Sequence, residues 1–336
     1  MILVTGGTGL VGSHLLYELT KTGNKIKAIY RTKEKIEQVR HVFSYYTDNV
    51  DAQFSKIEWI EGDITNIPSL EEVFTDITEV YHCAAFISFD TRDYYTLRKI
   101  NIEGTANVVN LCLHHNVKKL CYVSSVAATG KTVNGAPITE ETPWNSDASH
   151  SVYAITKYGG EMEVWRAAQE GLRMVIVNPG IIIGPGFWKS GSGSLFRFVH
   201  KGLNRYTEGV SGYVDIFDVV KPMVTLMKSD IQNERFILVA ENISYKDFFT
   251  KLARQLGVAP PSKNTSQFLL NIAWRMDWLR AHLRGKRRRL TKHTVRSLIS
   301  KTVYSHSKII EFLDYKFKPI DESITEVSRH YLNDLN

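Results

Sequence analysis

Residues 1 to 180 alternate short apolar runs with segments of helical periodicity. "MILVTG" (1–6), "KIKAIYR" (25–31), "IEWIEGD" (57–63), "EVYHCAA" (79–85), "KKLCYVSS" (118–125) and "RMVIVNPG" (173–180) have the length and composition of strands. Between them, "GSHLLYELTKTG" (12–23) predicts an amphipathic helix that ends at Gly23 as a C-terminal cap. "INIEGTANVVNLCLHH" (100–115) and "YAITKYGGEMEVWRAAQEG" (153–171) predict two longer helices. Strands that are apolar almost throughout are buried on both faces. Strand and helix in alternation at this spacing predict an α/β fold with a doubly wound parallel sheet. After Pro179 the pattern breaks: "GIIIGPGFWKSGSGS" (180–194) is glycine-rich, and the remainder mixes short helical segments with one strand-like run, "RFILVA" (235–240). The expected division is a sheet domain over 1–180 and a smaller lobe over 181–336, with some later segments returning to the sheet.

Composition narrows the class rather than the function. The chain has 336 residues, 43% apolar and 23% charged, enough to build a large core without a disulfide or metal staple. Three cysteines, Cys83, Cys112 and Cys121, have no spacing that suggests a disulfide framework or a zinc site, so no metal is expected and a reducing cytoplasm is the simplest compartment. No apolar run is long enough for a membrane span, and the glycine-rich N-terminus does not read as a signal peptide. The net charge of +7 is concentrated in "RGKRRRLTK" (284–292), six basic residues in nine. Without a nucleic-acid-binding motif around it, this run reads as a solvated segment and no nucleic-acid partner is expected. The preceding "FLLNIAWRMDWLRAHLRGKRRR" (268–289) has helical apolar spacing and is expected to pack on the second lobe, with a peripheral membrane contact as the alternative.

The chemistry begins at "TGGTGLVG" (5–12), between the first strand and the first helix. Gly7, Gly9 and Gly12 match G-x-G-x-x-G, and Gly6, Gly9 and Gly12 match G-x-x-G-x-x-G. Such glycines allow a tight turn and close approach of the backbone to a dinucleotide pyrophosphate seated on the helix N-terminus. At the end of the second strand an NAD-preferring site places an acidic residue, but this chain has Tyr30 and Arg31. An arginine suits a 2′-phosphate, with Lys33 or Lys35 in support, so NADP is expected, with NAD as the alternative. In "GDI" (62–64), Asp63 is a candidate acceptor for an adenine amino group, although the tripeptide also fits a plain turn. The small residues of "HCAAF" (82–86), Ala84 and Ala85 among them, let the backbone approach a cofactor. "YVSS" (122–125) ends the fifth strand, where ligands of open α/β sheets bind. Ser125 stands there 28 residues before Tyr153, and Lys157 follows Tyr153 by one helical turn on the same face.

The set "TGGTGLVG", "GDI", "HCAA", "NIEGTAN", "YVSS", "YAITK" and "NPGIIIGPG" resembles the extended short-chain dehydrogenase/reductases, the NAD(P)-dependent epimerase/dehydratase family, over residues 1 to about 220. The resemblance implies a Rossmann-type sheet and a cofactor site drawn from Gly6, Thr8, Gly9, Leu10, Val11, Gly12, Arg31, Asp63, Ile64, Ala84 and Ala85. It implies Tyr153 as the general acid, Lys157 as the charge that lowers the tyrosine pKa and binds the nicotinamide ribose, and Ser125 as the group that orients the substrate oxygen. Pro179, Ile181 and Ile182 would line the nicotinamide pocket, and Asn101 matches a family asparagine that stays outside the catalytic set. Asp215 and Asp218 resemble structural positions at the lobe junction.

Departures from the family patterns narrow the reaction. No Asp-Glu pair follows the serine, which argues against dehydration of nucleotide sugars. "IIGPGFWKSGSG" lacks the arginine that epimerases use for a diphosphate and is closer to the dihydroflavonol-reductase and 3β-hydroxysteroid-dehydrogenase side of the family. The expectation is an NADP-dependent oxidoreductase acting on a ketone or secondary alcohol of an apolar or sugar-like small molecule. A nucleotide-sugar epimerase and a non-catalytic NAD(P)-binding sensor are the alternatives, and a homodimer is left open.

Overall fold

A computed structural model describes residues 1–132, 135–284, 288 and 290–335, without the Arg284 side chain, so most of the basic run 284–292 lies outside the described residues. Among the described residues, twelve strands follow in chain order: β1 (Ile2–Thr5), β2 (Ile26–Tyr30), β3 (Ile57–Glu61), β4 (Glu79–His82), β5 (Lys119–Val123), β6 (Met174–Pro179), β7 (Ile181–Ile183), β8 (Arg205–Tyr206), β9 (Val210–Asp215), β10 (Glu234–Leu238), β11 (Glu241–Ser244) and β12 (Lys263–Asn264). Seven of them form one parallel sheet in the order β3-β2-β1-β4-β5-β6-β10. Side chains alternate between its two faces. Ile2, Val4, Tyr81, Cys121, Val175 and Phe236 enter one apolar cluster, while Leu3, Val80, Leu120, Tyr122 and Ile176 enter the other. Two buried faces explain why these strands read as continuous apolar runs. The strand order reverses between β1 and β4, the switch point at which open α/β sheets hold ligands beyond their strand ends.

The run 235–240 carries most of β10, the seventh strand of this sheet, so the chain returns to the first domain after leaving it. The helix Phe217–Lys228 returns with it, placing Val219, Val220 and Met223 in the first cluster. The smaller lobe is built on a three-stranded sheet, β11-β9-β7, and a third cluster that includes Phe196, Tyr213, Phe248, Ile324 and Tyr331. β8 and β12 form a separate two-stranded pair.

Two helices differ from their expected outlines. The first spans Leu10–Leu19 and does not reach Gly23. The Thr20 and Thr22 hydroxyls each donate to the backbone three residues back, at 2.7 Å, and close a turn that ends with Gly23 at φ +75°. The second opens with a π turn, Lys99–Glu103, before the α-helix Gly104–His114. Asn101 accounts for this: its side chain accepts from Phe86 N (2.8 Å) and donates to Phe86 O (2.9 Å) and Thr156 Oγ1 (3.1 Å), tying the turn to the strand-exit loop and the next helix.

Candidate active site

The cleft at the β1/β4 switch point has a volume of about 180 Å³ and is lined by Gly6, Thr8, Gly9, Arg31, Ile64, Ala84 and Ala85, all anticipated, together with Ile29, Lys35, Gly62, Cys83 and Ile100. Gly6 takes φ +68°, and a Cβ there would lie 2.5 Å from Ala84 N. At Gly12 a Cβ would run into the Gly6 carbonyl, so β1 and the following helix approach as closely as backbone allows. Leu10, Val11 and Gly12 form the first turn of a helix whose N-cap, Gly9, has no side chain to satisfy the free N–H groups. An uncapped helix N-terminus facing a glycine-walled cleft fits the diphosphate of a dinucleotide.

At the β2 end of this cleft, the Arg31 guanidinium lies 3.9 Å from Asp63 Oδ2, and both side chains are well exposed. Asp63 Oδ1 accepts from Thr65 N (2.8 Å) and Thr65 Oγ1 (2.9 Å), so one carboxylate oxygen is committed to its own turn. Pro179 ends β6, and Ile181 and Ile182 lie in β7; none of the three borders the 180 Å³ cleft.

The helix Val152–Gln169 starts at Ser151, whose side chain accepts from Ala154 N at 3.1 Å. Tyr153, Lys157 and Glu161 follow one another at four-residue intervals along one face. Ser125 opens a short turn after β5, its Oγ accepting from Ala127 N at 3.1 Å, and its side chain lies beside the Tyr153 hydroxyl. Tyr153 is partly exposed, against Phe89 with ring centroids 5.6 Å apart. Burial pushes the Tyr153 hydroxyl up to about 12, and the neighbouring Ser125 side chain acts in the opposite direction.

The Lys157 ammonium donates to Tyr122 Oη (2.9 Å) and Val123 O (2.8 Å) and lies 4.5 Å from the Tyr122 ring centroid. It is 1% exposed, and burial lowers its pKa to about 8 against the raising effect of Glu161. Glu161 is itself fully buried and accepts from Ser124 Oγ (2.6 Å), Asn178 Nδ2 (2.9 Å) and Arg235 Nη1 (3.1 Å). Asn178 Nδ2 also reaches Ser125 O at 3.0 Å. Beside this group, His82 bonds Thr5 Oγ1 (2.6 Å) and Thr105 Oγ1 (3.0 Å), stacks on Tyr122, and is lowered to about 3 by burial, so its ring is neutral.

Three of these residues received no role in the sequence reading: Cys83 in the cleft and Tyr122 at Lys157, which lie inside "HCAAF" and "YVSS", and Phe89 at Tyr153. The alternation in "HCAAFISFD" was the available signal for Phe89 and Ile87, which are 52% and 56% exposed beside the site.

A glycine-walled cleft at the switch point, with a Ser at the end of β5 and a Tyr and a Lys on the helix Val152–Gln169, defines a nucleotide-dependent α/β enzyme. The chain belongs to the NAD dependent epimerase/dehydratase family, whose model matches residues 2–238. It is an NAD(P)-dependent oxidoreductase or epimerase of the extended short-chain type. A Synechocystis sp. protein named provisionally as a dihydroflavonol 4-reductase is 26% identical over 98% of this chain and 94% of its own. A Vibrio cholerae UDP-glucose 4-epimerase is 28% identical over 77% of this chain and 75% of its own. The crystal structure of gox2253 superposes with a TM-score of 0.82 at 26% identity, covering 99% of this chain and 98% of that one.

Proposed function

We propose that the protein is an NADP-linked reductase or alcohol dehydrogenase acting on the ketone or secondary alcohol of an apolar small molecule. The observation that carries this reading is Tyr153, partly exposed, beside the Ser125 side chain and against Phe89. A bound nicotinamide supplies or accepts the hydride. The Tyr153 hydroxyl donates a proton to the carbonyl oxygen as negative charge develops there, and Ser125 Oγ orients that oxygen. Lys157 supplies a buried positive charge one turn from the tyrosine, which favours the tyrosinate left after proton transfer. Arg31 and Lys35 face the cleft where a 2′-phosphate would sit, and the long Arg31–Asp63 pair leaves the guanidinium available for it. The exposed apolar side chains of Ile87 and Phe89 favour an uncharged substrate over a nucleotide sugar.

Screening ketones and nucleotide sugars by NADPH absorbance tests this reading. Net NADPH consumption with an apolar ketone is expected. Interconversion of a nucleotide sugar without net NADPH change would replace it with an epimerase. Tyr153→Phe is expected to lower kcat by roughly 10²- to 10⁴-fold, the usual range for a lost acid. Arg31→Ala is expected to weaken NADPH by about tenfold or more and to leave NADH unchanged, as for one charge-assisted contact.

A further inference from the structure

The helix Gln267–Arg284 presents the wrong side to solvent for a packed amphipathic element. Its buried positions are Leu270 and Ala281. At about 100° per residue, Phe268, Leu269, Ile272, Met276, Leu279 and Leu283 fall on the opposite side. Phe268, Met276 and Leu283 are 72%, 66% and 73% exposed. The sequence periodicity favoured packing of these residues on the second lobe; instead the helix holds on through a narrow seam and turns its broad apolar face outward. An outward apolar face of this extent marks an interaction surface.

The charge around that face identifies what covers it. Residues 263–308 contain twelve lysines and arginines and one acidic residue, Asp277. Asp277 is turned inward, accepting from Arg280 (2.5 Å) and Leu290 N (3.0 Å). A two-fold contact with a second copy would bring two strongly basic segments together. An apolar stripe beside concentrated positive charge instead complements an anionic lipid surface, with the stripe in the acyl boundary and the cations at the headgroups. Among the described residues no helix is long and apolar enough to cross a membrane, so contact would be confined to the interface. The segment also reaches the candidate active site: the Arg288 backbone lies close enough to the Asp90 carboxylate to help hold its pKa down, next to Phe89, which packs on Tyr153.

We propose that the Gln267–Arg284 helix, with its Arg275 and with Lys292 and Arg296 of the helix Lys292–Ile299 packed against it, docks this protein on anionic membrane surfaces, with the Phe89–Tyr153 side near the bilayer. Docking itself does not depend on the proposed reaction. The test is flotation of the full chain with vesicles of phosphatidylcholine alone and of phosphatidylcholine mixed with phosphatidylglycerol. Partition into the mixed vesicles only, lost as salt is raised, is expected. Met276→Glu with Leu283→Glu should cut that partition on the order of tenfold or more, while NADPH affinity, measured in the same preparation, confirms the fold. No partition into mixed vesicles, or partition indifferent to the double substitution, overturns the proposal. So does a dimer in solution that the double substitution dissociates without any vesicle binding, which would make the face a contact between copies.

Discussion

Lys157→Met is expected to change the pH dependence of stability in a calculable way. Burial lowers the Lys157 pKa from the usual 10.5 to about 8 in the folded chain. Between those two values the unfolded chain binds more protons than the folded one, so stability rises with pH across that window. The cost of burying the ammonium is therefore fully present below pH 8 and fades toward pH 10.5. At 1.36 kcal/mol for each pH unit separating the two values, that cost is about 3 kcal/mol at pH 7, and about 2–3 kcal/mol of it is relieved by pH 10. Losing the bonds to Tyr122 and Val123 adds an offset that does not vary with pH. Urea unfolding of wild type and variant at pH 7, 8, 9 and 10 isolates the titration, because other groups cancel in the difference. Relative to the variant, the wild type should gain about 2–3 kcal/mol from pH 7 to pH 10. A difference that stays flat over this range refutes a lysine depressed by burial.

Gly12→Ala should cripple the cofactor cradle, since its Cβ would also lie 2.8 Å from Gly6 C and from Gly7 Cα, backbone atoms that cannot swing aside. An overpacking loss of roughly 1–3 kcal/mol in urea unfolding is expected, with NADPH affinity down by tenfold or more in a fluorescence titration on the order set by one lost close contact; unchanged affinity would dissociate the glycine motif from cofactor binding. Glu161→Gln leaves the Arg235 guanidinium without its carboxylate and is expected to cost about 3 kcal/mol, read by the same unfolding assay, and a loss under about 0.5 kcal/mol, the surface range, would contradict a buried pair.

The parallel sheet and the cofactor cradle were legible because their signals are local. A glycine turn is written in eight consecutive residues, and strands buried on both faces announce themselves by composition. What tertiary contact decides was not legible. Tyr122 is 35 residues from Lys157, and only the packing of β5 against the Val152–Gln169 helix shows that it accepts from the Lys157 ammonium. The π turn at Lys99–Glu103 follows from an Asn101 side chain that pairs with Phe86, fifteen residues back. The helical period in 268–283 was plain, yet periodicity fixes which residues share a face and not whether that face turns toward the core or the solvent.

The two serines that end β5 divide the work of placing Tyr153. Ser125 meets the tyrosine at the first turn of the Val152–Gln169 helix, while Ser124, one residue earlier, meets Glu161 two turns further along it. Glu161 is held in turn by Asn178 of β6 and Arg235 of β10, so three neighbouring strands grip the helix at a point remote from the cleft. A rigid helix fastened at Glu161 fixes the depth and rotation of Tyr153, because both residues project from the same face. Loosening Glu161 should therefore lower kcat through misplacement of the acid more than it raises KM, whereas a helix positioned by its N-terminal contacts alone would keep kcat when Glu161 is changed.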